Sequence, residues 1–362
     1  FQTGPVSHRL NFGLAGIWTE ARNAYVFASA KTATNIYHPV TGAPPALNSP
    51  RNTPGTDFSD PTITGKTFVR SLAASDTLGF FDDRLLVTVG ARRQQMVVQS
   101  YNYMSGTRTA NYDESITTPV YGIVFKPWEH VSLYANRIEG LAQGPTSPLK
   151  SGSLTVIGGG QAYAPARSKQ IEAGVKVDMG SYGATLGVYR IEQPGAGYAE
   201  AIDATSARYV REGQQINKGV ELNVFGEPVS GLRLLGGVTL MNTELKGTLN
   251  GANDGNRAIG VPSFQLNAGV DWDVPGLQGV TLNGRMLRTG GQYADAANEL
   301  SLPAWNRFDV GARYTFMLQQ REVTVGATVE NVANEKYWES AQGGFLSQGD
   351  PRVAKLSATI DF

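Results

Sequence analysis

Along most of the chain, apolar and polar residues alternate with a period of two. In "PSFQLNAGVDWDVPG", Phe264, Leu266, Ala268, Val270 and Trp272 share one parity, and Gln265, Asn267, Asp271 and Asp273 share the other. "NRFDVGARYTFML" sets Phe308, Val310, Ala312, Tyr314 and Phe316 against Asp309, Gly311, Arg313 and Thr315. "EVTVGATVEN", "SKQIEAGVKVDM" and the closing "VAKLSATIDF" repeat the pattern. Successive side chains of a strand point to opposite faces, whereas a helical period of 3.6 would mix the two classes. One such segment would suit the edge of a soluble sandwich equally well. About 15 of them, many of about 10 residues, exceed the usual soluble strand of about 5 to 6 and match the length that carries a tilted strand across a bilayer.

The connections sharpen the choice. Tight ones ("EARN", "FFDDR", "KPWEH", "DMGSY", "GEPVSG", "DVPGLQG", "LQQRE") alternate with long ones near residues 36–60, 104–114, 142–167, 194–206, 246–259, 290–304 and 333–351. Short turns on one rim and long loops on the other predict an all-β fold, a transmembrane antiparallel up-and-down β-barrel. Backbone groups facing hydrocarbon must be paired, so such a sheet has to close. The inner parity carries Glu172, Lys176, Asp178, Glu221, Arg233, Asp271, Asp273, Arg285, Asp309 and Arg313. That is too much charge for a dry core and suits a lumen filled by water or by a plug. Phe125, Trp128, Phe225, Trp272, Phe316 and Phe362, near the short-turn ends, are expected to form an interfacial girdle. Lys plus Arg equals Asp plus Glu at 31 each, so no global field points to nucleic acid or to an anionic membrane surface as a partner. With no Cys, disulfide frameworks and thiolate metal sites are excluded. The chain opens already inside a strand-like pattern, and we expect it to be an N-terminally truncated piece of a longer protein.

On five stretches the sequence resembles the C-terminal barrel of TonB-dependent siderophore receptors of the bacterial outer membrane, of the ferrichrome and hydroxamate type. They are "TPVYGIVFKPWEHVSLYANRIEGLAQGPTSP", "ARSKQIEAGVKVDMGSYGATLGVYRIEQP", "NKGVELNVFGEPVSGLRLLGGVTLMNTEL", "VPSFQLNAGVDWD" and "TVENVANEKYWES" through "GFLSQGDPRVAKLSATIDF". The resemblance implies a barrel of 22 strands around an N-terminal plug with a TonB box. Residues 1–362 would supply about the last 15 strands, with plug, TonB box and first strands absent. It further implies capture of a ferric siderophore at the outer loops and import with energy from the TonB–ExbB–ExbD complex. The C-terminus would be periplasmic, and the barrel-assembly machinery would read a terminal signal comprising Leu356, Ala358, Ile360 and Phe362.

Catalytic signals are absent from the sequence. His8, His38 and His130 lie in different segments, and none is in a motif with a Ser nucleophile, so no enzyme is expected. Gly158, Gly159 and Gly160 have no following helix and read as a flexible loop tip. Nor is a metal cluster or cofactor expected, because iron arrives already chelated. A ferric siderophore suits an aromatic cup with a few hydrogen-bond donors. The candidates are the loop-rim aromatics Tyr101, Tyr103, Tyr112, Tyr198, Tyr209, Tyr293, Trp305, Tyr337, Trp338 and Phe345, about half of which belong to an outer girdle instead. The parity of Trp305 points inward if its strand is regular that far. Phe345 is favoured from the resemblance, as an aromatic of the last loop placed to lean over the cup. "EGLAQGPTSP" and "NVANEKYW" read as structural strand exits. Another cargo on the same fold (haem, a corrinoid or a carbohydrate) and a passive porin are the competing functions.

Overall fold

The computed structural model describes residues 1–27, 35–37, 55–195, 197–342 and 345–361. Its dominant feature is one antiparallel sheet of 15 strands in sequential order. The strands are β1 (Gln2–Thr3), β2 (Val6–Asn23), β3 (Thr62–Phe80), β4 (Leu85–Tyr101), β5 (Arg108–Trp128), β6 (Val131–Ala142), β7 (Ala166–Asp178) and β8 (Tyr182–Pro194). There follow β9 (Gln214–Val229), β10 (Leu232–Lys246), β11 (Phe264–Asp273), β12 (Val280–Thr289), β13 (Trp305–Leu318), β14 (Arg321–Glu330) and β15 (Val353–Ile360). Every wall strand pairs with its sequence neighbours, and β1 and β15 are the edges.

The register carries the sequence parity across the wall. Arg233, Asp271, Asn283, Gly311, Thr328 and Lys355 fall in one cross-strand row, so the charged face is continuous. On the opposite face Leu133, Leu186, Val220, Leu240, Phe308 and Leu356 are exposed. Large apolar side chains exposed along an entire sheet face match a lipid-facing surface. Leu356, Ala358 and Ile360 keep this outward parity, opposite Ala327, Val325 and Val323; Phe362 lies outside the described residues. β2 to β5 run to 18, 19, 17 and 21 residues. Since about 9 to 11 residues cross the hydrocarbon, these strands project beyond it. There the outward face turns polar: Arg70 Nε donates to Gln95 (2.7 Å), whose Nε2 donates to Asp113 (2.6 Å).

Short turns link alternate pairs at residues 4–5, 81–84, 129–130, 179–181, 230–231, 274–279 and 319–320, and longer connections occupy the other rim. Gln319 and Gln320, at φ 50° and 67°, form a two-residue hairpin without glycine. Four expectations are corrected. "EARN" is not a turn, because Glu20 to Asn23 finish β2, where Glu20 pairs with Arg22 (2.8 Å) and Lys66 (3.7 Å). Polar residues there mark a strand leaving the lipid zone. The expected long loop at 104–114 shrinks to residues 102–107, since β5 starts at Arg108. Phe225 stands opposite Gly183 and Leu235 on the lumen parity, so it leaves the girdle; an irregularity after Gly226 separates the strand's parity from that of its turn. Gly158 to Gly160 are not a loose tip, because Gly159 N donates to Val156 O (3.0 Å) and Gly160 N to Ser147 O (2.9 Å).

Candidate functional site

Buried side chains concentrate under the long-loop rim. Ala294, Leu302, Trp338 and Ala341 form a cluster with Ile36, Ile259 and Leu346 packed against it. The cluster joins connections that are far apart in sequence, and Trp338 Nε1 donates to Ile36 O across it.

The 331–352 connection is fastened by polar groups. Asn331 is fully buried and has φ 50°, which asparagine tolerates better than most residues. Its Nδ2 donates to Glu335 O and Asp350 O (2.9 Å each), and its Oδ1 accepts from Glu335 N (2.8 Å). Its own backbone N–H donates to Asp309 Oδ1 (2.8 Å), and Arg307 Nε holds the same carboxylate at 2.8 Å. Arg307 also reaches Glu330 (3.1 Å), which Lys355 engages at 2.6 Å. Above this network Trp305 and Tyr337 stack with ring centroids 4.2 Å apart. A Cβ on Gly349 would lie 2.2 Å from the Tyr337 ring, so only glycine fits beneath it. Burial pushes the Tyr337 hydroxyl above the usual tyrosine range, opposed by the neighbouring Arg307 guanidinium.

A second platform lies over β6 to β10. The segments Lys150–Ser151, Leu154–Ile157, Ser206–Val210 and Tyr198–Ala201 form a small sheet, in which Leu154–Ile157 and Ser206–Val210 run parallel. Beside it the Tyr163 and Tyr209 rings lie 5.7 Å apart, and the Arg211 guanidinium sits 4.8 Å over Tyr163. Next to these rings opens a cleft of ≈ 570 Å³ lined by Gly195, Gly197, Tyr198, Gly213, Gln215 and Thr248 among others. Pockets for small ligands span about 300 to 1,000 Å³.

The ten candidate aromatics therefore divide. Tyr112, Trp305, Tyr337 and Trp338 are buried supports, and Tyr112 Oη accepts from Gly144 N at 3.1 Å to hold the 143–165 connection. Trp305 keeps the inward parity, because β13 is regular to its first residue, where Trp305 opposes Thr289. Tyr101 Oη donates to Gln99 (2.9 Å) beside Lys66, on the outward side of the long strands. Tyr103 packs edge-on to Tyr25 (5.3 Å). Tyr198 and Tyr209 belong to the second platform, whereas Tyr293 pairs with Ser301 and bridges to Ile259 beside the Ala294–Leu302–Trp338 cluster. Phe345 is 81% exposed, at the turn of the hairpin formed by Trp338–Gln342 and Phe345–Gln348. The sequence reading missed Asn331, Tyr163 and Arg211. Asn331 had a signal in "NVANEKYW", a polar residue closing an apolar strand. Tyr163 and Arg211 had none, since only the fold brings them together.

Residues 1–332 match the family described as "TonB dependent receptor-like, beta-barrel". The whole chain is 40% identical to the ferrichrome receptor FcuA of Yersinia enterocolitica, of which it covers 47%. Among solved structures it resembles BauA, the ferric preacinetobactin receptor of Acinetobacter baumannii, with TM-score 0.78 and 32% identity, over 100% of this chain and 52% of that one. It is 26% identical over 258 residues, 69% of this chain, to the ferrichrome outer membrane transporter/phage receptor of Escherichia coli K12, of which it covers 32%. The chain spans about half the length of FcuA and BauA. A sheet with one charged and one apolar face, alternating rims and these matches give one conclusion: the chain belongs to the TonB-dependent receptor β-barrel family.

Proposed function

We propose that this chain is the loop-bearing barrel wall of an outer-membrane receptor that captures a neutral ferric hydroxamate siderophore. The long-loop rim faces outside and the chain ends in the periplasm. In the complete protein a plug with its TonB box fills the lumen, and the TonB–ExbB–ExbD complex drives import. The chelator supplies every ligand to iron, so the wall contributes surface rather than coordination, and no catalytic step is involved. The barrel-assembly machinery reads the end of β15 with Phe362; shortening the chain by Phe362 is expected to lower the assembled amount while leaving the affinity of assembled receptor unchanged.

The observation that carries the reading is the charge around the C-terminal part of the rim. Asp295, Glu299, Glu335, Glu339 and Asp350 outnumber Lys336 and Arg352 in the two connections flanking β13 and β14. Such a rim repels a highly anionic ferric tris-catecholate and leaves a neutral trihydroxamate unaffected. The relative named as a ferrichrome receptor supports the same class. The test is equilibrium binding of both chelate types to the full-length receptor. Preference for the hydroxamate by at least about tenfold is expected; preference for the catecholate, or binding of neither, sinks the reading.

A further inference from the structure

The lumen face has two unlike sectors. On β10 to β15 its cations are already matched with acids: Arg233 with Asp273 (2.6 Å), Arg313 with Asp271 (2.8 Å), Arg307 with Asp309 (2.8 Å) and Lys355 with Glu330 (2.6 Å). On β7 to β9 tyrosines lie flat over the glycines, so that a Cβ on Gly174 would meet the Tyr134 ring at 2.8 Å and one on Gly219 would overlap Tyr189. Tyr134 is itself fastened, because its Oη donates to Glu172 (2.5 Å) and Lys176 Nζ sits 4.9 Å from its ring centroid.

The cross-strand row Thr77, Thr88, Gly122, Asn136 and Glu172 shows that β3 to β5 face the same lumen. There the wall is low and neutral. β3 presents Ser71, Ala73 and Ser75, and β5 presents Thr118, Val120 and Gly122. Between them, on β4, Arg92 stands opposite Ala73 on one side and Thr118 on the other. It is exposed and has no hydrogen-bond or ion-pair partner among the described residues.

This difference decides where a chelate can move. Short side chains leave the lumen widest against β3 to β5, and an uncharged solute there breaks no ion pair as it passes. An unpaired guanidinium keeps its donors for a passing acceptor, and the oxygens of a hydroxamate chelate are such acceptors. A single exposed fork also holds weakly enough to let go, which any passage requires. We infer that the lumen face of β3 to β5 is the passage side of the wall, along which the ferric chelate descends past Ser71 and Ala73 and is held in transit by Arg92. The inference rests on the proposed function and adds the route.

The test expresses the full-length receptor in cells otherwise lacking it, and uses a radiolabelled ferric trihydroxamate. Equilibrium binding is read in de-energised cells and initial uptake in energised ones. Arg92→Gln should lower uptake about tenfold at unchanged affinity. The wall has no native Cys, so a bulky thiol reagent can be placed at one position, with the treated wild type as reference. Reacted Ser71→Cys should lose uptake at least about tenfold, whereas reacted Thr328→Cys, on the lumen face of β14 opposite Gly311, should stay within about twofold. Uptake by Arg92→Gln at the wild-type rate overturns the inference. So does an equal loss of affinity and uptake, which would put Arg92 in the binding cup, and so does equal blockage from positions 71 and 328. If Arg92→Gln does not assemble, the two labelled positions decide alone. A wild type that binds the catecholate instead fails the proposed function, and the same uptake comparison run with that chelate still decides the route.

Discussion

The connections at 331–352 and 195–213 leave the same rim but are held in opposite ways. The first is tied by a buried asparagine, a shared carboxylate and a stacked Trp–Tyr pair. The second rests on Gly195, Gly197 and Gly213, an exposed Arg208–Glu200 pair and a small sheet in which Val156 and Ala207 are buried. Buried hydrogen-bond networks fix one geometry, whereas glycine-rich segments with few buried contacts open at low cost. The rim thus combines a fixed post with an adaptable platform. Asn331→Ala is the strongest way to break this contrast. It would leave the carbonyls of Glu335 and Asp350 without their donor and put alanine at a left-handed φ. Amide exchange through 331–352 in the assembled receptor should accelerate on the order of 30- to 100-fold, with 195–213 unchanged. Uniform exchange in both would remove the distinction.

The next two effects concern what each region presents to the cargo. Phe345, held out by the fixed post, offers a free aromatic face, so Phe345→Ala should weaken ferric-hydroxamate binding about tenfold without altering exchange at 331–352. A changed exchange pattern would show that Phe345 supports the loop rather than the ligand. On the adaptable side, Tyr163→Ala removes the ring beneath Arg211 and should cost about three- to fivefold in affinity. Since the 195–213 segment already yields readily, its proteolysis rate should barely change; faster nicking would make Tyr163 a structural support.

These residues differ in how far the sequence revealed them. The wall was legible because a period of two survives every context: the parity assigned to Phe308, Asp309 and Arg313 is the parity in the sheet. Trp305 could be placed by counting back along the same strand. Errors arose where parity breaks or polarity misleads, at the Phe225 irregularity and at "EARN", whose charges lie on a strand that outruns the lipid. The site was less legible, because aromatic residues at a rim look alike in sequence whether they are buried supports such as Tyr112 or exposed contacts such as Phe345. Only pairing across distant connections separates them. Tyr163 and Arg211 lie far apart in sequence and meet only when the small sheet brings their loops together.

The smallest effect tests whether acidity can loosen the adaptable side. Thr248 lines the cleft and belongs to a turn closed by Asp254, whose Oδ1 accepts from Thr248 N (2.8 Å) and Thr248 Oγ1 (2.7 Å). Those hydrogen bonds, the backbone one foremost, hold the Asp254 carboxyl below the usual range. A carboxyl whose folded pKa is depressed adds stability that is fully present above its unfolded value. That stability is lost only as pH falls through the lowered folded value. Cargo affinity should therefore stay flat from about pH 7 to pH 5, because both values lie lower. Asp254→Asn keeps the shape but not the charge and should weaken binding at pH 7 by no more than about threefold, as the group is exposed. A wild-type affinity that already falls between pH 7 and pH 5 would place the acid-sensitive group elsewhere, and Asp254→Asn would then leave that fall in place.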